Sequence, residues 1–181
     1  MAGSPHHTLT PPVFDAPTRV LIVIAPYYKD IANDLLAGAK AALEAAKAMY
    51  DVIEVPGALE VPTAIALAER SSRYDGFVAL GCIIRGETTH YETVCNDSSR
   101  GLALLGLGGV CIGNGILTVE NHAQATVRAN PAAQNKGGGA AQAACHLIQI
   151  ARDHGRKSRR SSFAPDSEQF LMAGIIPKDV G

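Results

Sequence analysis

The chain has no tryptophan, and aromatic residues of any kind fill only 5% of its 181 positions. Base-stacking platforms and sugar-binding faces are built from aromatic rings, so neither has its raw material here. An excess of one charge is missing too: 16 Lys and Arg stand against 17 Asp and Glu, a formal net charge of −1. Such a chain has no electrostatic pull toward nucleic acid or an anionic membrane. No apolar run reaches the roughly 18 residues needed to cross a bilayer. The opening MAGSPHHTLTPPVFDAP lacks an apolar core and is broken by proline, so residues 1–17 read as a flexible arm and not as a secretory leader. The four cysteines (Cys82, Cys95, Cys111 and Cys145) form no C-x-x-C pair and show no metal-ligand spacing. A chain of this size does not depend on a disulfide framework, so buried, reduced thiols in a cytoplasmic protein are expected.

What is present is globular. Apolar residues make up 47% and charged residues 18%, enough to bury one core in one domain, expected over residues 18–157. Residues 19–25 (RVLIVIA) form a largely β-branched run closed by Pro26, the pattern of a strand buried on both faces. Residues 29–48 follow, with Ile31, Leu35, Ala39 and Ala42 at helical spacing. Further strands are expected at 50–55, 76–84 and within 110–119. Further helices are expected from Pro62 to about residue 70, then over 91–105, 121–128 and 136–154. This alternation predicts an α/β fold with a parallel sheet and helices on both faces. Ligands of such sheets gather outside the carboxyl ends of the strands, which places the chemistry on residues 26–28, 56–60, 84–90 and 113–121. From Gly155 a basic run, a Ser/Pro stretch and an apolar patch at 170–176 follow; the basic cluster is expected to be solvated, and residues 158–181 read as an extension.

The stretch GCIIRGETTHYE, residues 81–92, departs from routine packing. Thr89 and Glu92 have the spacing of a capping box, which would leave residues 86–89 as the turn into a helix. The unpaired N–H groups of such a turn attract phosphate, and Gly86 lets a ligand approach the backbone. His90 would fall in the first helical turn, where the positive end of the helix dipole disfavours imidazolium and favours a neutral ring able to exchange a proton. Capping boxes are common without any chemistry, and the turn lacks the lysine and glycines of a P-loop. An arginine would dominate phosphate capture, since a hydrogen bond to it reaches about 1.5–3 kcal/mol against roughly 0.3–1 for a helix terminus. Arg85 is nearest in sequence and Arg128 and Lys136 are the other candidates, but nothing in their spacing alone brings either of the latter to His90.

Four segments together resemble the 6,7-dimethyl-8-ribityllumazine synthase family: GCIIRGETTHYETVCND (81–97), VPGALEVP (55–62), GNGILTVEN (113–121) and NKGG (135–138). The match runs from about residue 19 to 154 in order and spacing. The resemblance implies a three-layer flavodoxin-like sandwich around a four-stranded parallel sheet, assembled as pentamers that stand alone, pair or close into a hollow shell. It implies that 5-amino-6-(D-ribitylamino)uracil condenses with 3,4-dihydroxy-2-butanone 4-phosphate without cofactor or metal, in sites between adjacent subunits, with riboflavin synthase as the candidate protein partner. By the same resemblance His90 is the proton-transfer group. Glu87, Thr88 and Arg128 meet the phosphate, Tyr27 stacks on the pyrimidine, and Ala58, Leu59 and Glu60 hold the ribityl chain. The strand end Cys82, Ile83 and Ile84 reads the pyrimidine through its backbone. Asn114 reaches the heterocycle from the adjacent subunit, Lys136 stands behind the phosphate, and Arg85 is structural. Gly139 departs from the pattern, since several members carry an acid there that pairs with the histidine.

Overall fold

The computed structural model describes residues 9–155; the start of the expected arm and the tail, with its basic cluster and apolar patch, lie outside the described residues. Nine elements alternate as expected: β1 (Arg19–Ile24), α1 (Lys29–Ala45), β2 (Met49–Glu54), α2 (Glu60–Glu69), β3 (Gly76–Ile84), α3 (His90–Leu107), β4 (Ile112–Val119), α4 (His122–Ala129) and α5 (Lys136–Gly155). The strands form one parallel sheet in the order β2-β1-β3-β4. From β1 the chain winds outward to β2, then crosses back to β3 and β4. Right-handed crossovers therefore place α1 on one face and α2 and α3 on the other. The two directions of winding part between β1 and β3, and a crevice opens there at the carboxyl ends of the strands.

The central strands are apolar at nearly every position because both their faces are covered. Val20, Ile22 and Ile24 point into the core beneath α1, α4 and α5, while Leu21, Val23 and Ala25 point into a smaller core beneath α2 and α3. In β3, Val78 and Leu80 join the first core, and Phe77 and Ala79 the second.

Helix boundaries differ from expectation where local geometry intervenes. α1 stops at Ala45, three residues before the expected end, because Lys47 turns left-handed at φ 55° and Ala48 N–H folds back onto the Leu43 carbonyl. α2 starts at Glu60, ahead of Pro62; proline fits in a first turn, whose N–H groups have no partner within the helix. Phe14, inside the segment expected as an arm, is buried in the larger core with its N–H on the Ala46 carbonyl, and the Arg152 guanidinium lies 5.0 Å from its ring centre.

The seam between α1 and α5 depends on missing side chains. A Cβ on Gly137 would sit 2.0 Å from the Leu35 carbonyl oxygen, and one on Gly38 would sit 2.1 Å from Asn135 Oδ1. That Asn135 oxygen accepts from Gly138 N–H at 3.1 Å and caps α5. The glycines thus bring the start of α5, with Lys136, against α1.

Candidate active site

A cleft of about 430 Å³ opens at the carboxyl ends of β1, β2 and β3. Its wall after β1 is Ala25, Tyr27 and Tyr28; its wall after β2 is residues 56–60; its floor and third wall run from Cys82 through Ile84 and Gly86 to Thr88, His90, Tyr91 and Val94. Three helices start on this cleft, α1 behind Tyr28, α2 behind Leu59 and α3 behind Thr89, and none of the three residues makes a side-chain capping bond. By contrast α4, which does not border the cleft, is capped by Asn121, whose Oδ1 accepts from Gln124 N–H at 3.0 Å. Uncapped helix starts leave N–H donors and the positive dipole end to the cleft, a setting that favours an anionic ligand.

The expected capping box at α3 does not form. Thr89 has helical backbone angles and no capping bond, and Glu92 pairs with Arg85 instead. A charge-assisted ion pair outcompetes a single backbone N–H for that carboxylate. The Arg85 guanidinium beside it holds the Glu92 carboxyl below its ordinary range. Thr88 supplies the remaining side-chain contact at the helix start, its Oγ1 accepting from His90 N–H at a long 3.4 Å. His90 is the first residue of α3 and is exposed to the cleft.

The other groups divide by chemistry. Tyr27 is 74% exposed, its ring edge-on to Tyr28 with centroids 5.0 Å apart, so a face is free for a flat ligand. Burial pushes the Cys82 thiol up to about 11, with the Asp30 carboxylate adding to the rise. It therefore stays a neutral floor residue and no nucleophile at neutral pH. Cys145 is also buried, whereas Cys95 and Cys111 are only partly so, short of the full burial expected; all four are free thiols.

Of the residues singled out from sequence, Tyr27, Ala58, Leu59, Glu60, Cys82, Ile83, Ile84, Thr88 and His90 meet in this one cleft. Glu87, Asn114 and Arg128 do not line it. Glu87 is exposed on the turn. Asn114 lies on β4, its Oδ1 accepting from Ile116 N–H at 3.0 Å, and borders a second, apolar groove. Arg128 is half-buried on α4 and donates to the Gln124 carbonyl at 3.0 Å. Tyr91 and Val94 were missed, although Val94 sits one helical turn beyond His90 and so shares its side of α3.

The sheet, its winding and the position of the cleft define a doubly wound α/β protein with a small-molecule site at its switch point. A sequence model of 6,7-dimethyl-8-ribityllumazine synthase matches residues 17–152, and the chain belongs to that family. A 6,7-dimethyl-8-ribityllumazine synthase of Jannaschia sp. (strain CCS1) is 54% identical over 165 residues, 91% of this chain and 93% of the relative. Proteins of the same name from Novosphingobium aromaticivorans and Azorhizobium caulinodans are each 56% identical, over 73% and 74% of this chain and 95% and 86% of their own lengths.

Proposed function

We propose that this protein is a transferase that condenses 5-amino-6-(D-ribitylamino)uracil with 3,4-dihydroxy-2-butanone 4-phosphate, giving 6,7-dimethyl-8-ribityllumazine, phosphate and water in the penultimate step of riboflavin synthesis. The observation that carries this reading is the convergence of Tyr27, residues 58–60 and 82–84, Thr88 and His90 on one cleft in a chain of this family. The pyrimidine stacks on Tyr27 and is read by the backbone of residues 82–84, and the ribityl hydroxyls donate to Glu60. The phosphate faces the uncapped start of α3 at Glu87 and Thr88. The pyrimidine amine then attacks the butanone carbonyl, and the nitrogen gives up two protons in turn as the oxygen gains two and leaves as water, forming the imine. Phosphate departs by elimination, and the ribityl-bearing nitrogen closes the second ring with loss of another water. His90 takes and returns these protons. Condensation and elimination involve no net oxidation, so the reaction needs no redox cofactor.

Arg128 and Asn114 are assigned to the cleft of an adjacent subunit, with Lys136 behind the phosphate, in a homo-oligomer built of pentamers. Their location outside their own chain's cleft supports this assignment. The catalytic unit is residues 18–157, with Phe14 packed onto it. Riboflavin synthase, which uses the product, is the candidate partner, and the cytoplasm the proposed compartment; no helix among the described residues is long and apolar enough to cross a membrane.

The test is direct. Purified protein given both substrates should develop the lumazine absorbance band and release one phosphate per product. A second reading, a weakly catalytic homologue that binds lumazine or flavin or forms a shell, is favoured by Gly139, where no atom lies within 4 Å of the position a Cβ would take. Tight lumazine binding without turnover would establish it in place of the synthase.

A further inference from the structure

Arg85 does not line the cleft, yet it joins the ends of the turn that carries His90. Its backbone N–H donates to the Val119 carbonyl at 3.0 Å, extending the pairing of β3 with β4 by one residue. Its guanidinium then reaches three side chains. Nε donates to Glu120 Oε2 at 2.7 Å, Nη1 donates to the Glu92 carboxylate, and the group lies 4.1 Å from the centre of the Tyr91 ring. Glu120 directly follows β4, whereas Tyr91 and Glu92 belong to the first turn of α3. Between Arg85 and that turn, the one side-chain hydrogen bond among the described residues is the long contact from His90 N–H to Thr88 Oγ1.

We propose that Arg85 is a positioning residue for the reaction. By clamping Tyr91 and Glu92 to Glu120, it fixes the first turn of α3, and so the Thr88 hydroxyl and the His90 imidazole, against the strand ends. The inference rests on the cleft being the synthase site. Two carboxylates already neutralise this guanidinium, which sets it apart from a phosphate ligand. The clamp also reaches α4: Glu120 N–H donates to Gln124 Oε1 at 3.0 Å, and the Gln124 carbonyl accepts from Arg128 at 3.0 Å. A chain of side-chain and backbone hydrogen bonds thus joins the turn bearing His90 to the helix bearing Arg128. Lysine cannot replace Arg85, because a single ammonium offers no planar fork for two carboxylates and no flat face for Tyr91.

The experiment measures kcat and both KM values for full-length Arg85→Gln, Arg85→Lys and Glu120→Gln, with thermal unfolding and oligomeric state recorded alongside. Arg85→Gln should lower kcat on the order of 10- to 100-fold through misplacement of the turn. It should raise KM for the butanone phosphate more than KM for the pyrimidine, and Arg85→Lys should recover little. Glu120→Gln keeps the link from Arg85 to Glu92 and should show the same pattern more weakly. Arg100→Gln, which removes an exposed pairing with Asp97 on the same helix, is the control and should leave all three constants alone. An active wild type whose folded Arg85→Gln variant keeps its constants within about twofold overturns the inference, even if the melting temperature falls. Should Arg85→Gln not fold, unaltered kinetics in Glu120→Gln overturn it. A wild type that makes no lumazine overturns the synthase reading, and this inference with it.

Discussion

The two helical layers cover the same sheet in different ways. On the face of α1, α4 and α5, Leu35, Ala39, Leu43, Ala141, Ala144 and Ile148 are all at most 1% exposed. The starts of α4 and α5 are capped by Asn121 and Asn135, and backbone meets backbone at Gly137. On the other face the 18-residue α3 buries only Ser98 and Leu102, while Leu104 and Leu107 are 63% and 88% exposed. Beside α3 lies the apolar groove of about 640 Å³, lined by Leu102, Leu107, Ile112, Asn114, Leu147 and Ile150 among others. The first layer is closed along most of its length, with the start of α1 left uncapped and Leu147 and Ile150 of α5 turned to that groove. The second leaves donors unpaired at one end and apolar surface uncovered along its length, and those are the places where ligand and neighbouring subunit belong in the proposed function.

The strongest test of that division separates activity from stability. His90→Ala should lower turnover about 100- to 10,000-fold, the range of a lost general acid–base group. Its melting temperature should stay put, since the His90 side chain makes no hydrogen bond among the described residues. Arg128→Ala should also be nearly inactive. Assemblies containing both variants should regain part of the activity, because some interfaces then combine an intact histidine with an intact arginine. Absence of recovery in well-formed mixed assemblies would return both groups to one chain's site.

The closed layer should respond the opposite way. Gly137→Ala drives a methyl into the Leu35 carbonyl and should cost about 1–3 kcal/mol or more in chemical denaturation. Gly139→Ala, two residues along the same helix with open space around it, should be neutral or stabilise by up to about 1 kcal/mol. Equal losses at the two positions would mean that the close contact of Gly137 with α1 does not set the effect, since helix propensity alone favours alanine at both. On the open layer, Leu107→Asp should leave the secondary structure intact and shift the protein toward smaller species in light scattering. If it unfolds the chain instead, the exposed leucine has a role in the monomer that the open groove does not indicate.

The same contrast governs what could be read from sequence. β3 was expected at 76–84 and occupies Gly76–Ile84, because a strand buried on both faces writes a continuous apolar run. Most residues gathered in the cleft follow strand ends, so alternation and Pro26, Pro56 and Gly57 placed segments 26–28, 56–60 and 84–90, whereas Cys82 and Ile83, inside β3, came only from the resemblance. The end of α1 was less legible, since Lys47 takes a left-handed angle with no glycine to announce it. Phe14 sits among prolines and aspartate, a local composition that conceals its packing beneath Arg152. Arg128 and Asn114 lie away from their own chain's cleft, and only the resemblance linked them to it. The capping box that is expected but does not form has the same origin: Glu92 lies three residues from Thr89, but its partner Arg85 is itself anchored to Glu120, 35 residues further along the chain.

Asn121→Ala removes a bond to Gln124 N–H that closes the first turn of α4, and should lower stability by about 1 kcal/mol. Thr89→Ala occupies the corresponding position of α3 but removes no capping bond, so its stability should match wild type. The local sequence rule treats the two sites as equivalent helix starts. The structure separates them by where the donors point: in α4 they are satisfied by the chain's own asparagine, in α3 they are left toward the cleft. A loss of about 1 kcal/mol in Thr89→Ala would mean that the hydroxyl caps α3 in solution. The start of that helix would then have one donor fewer for a phosphate.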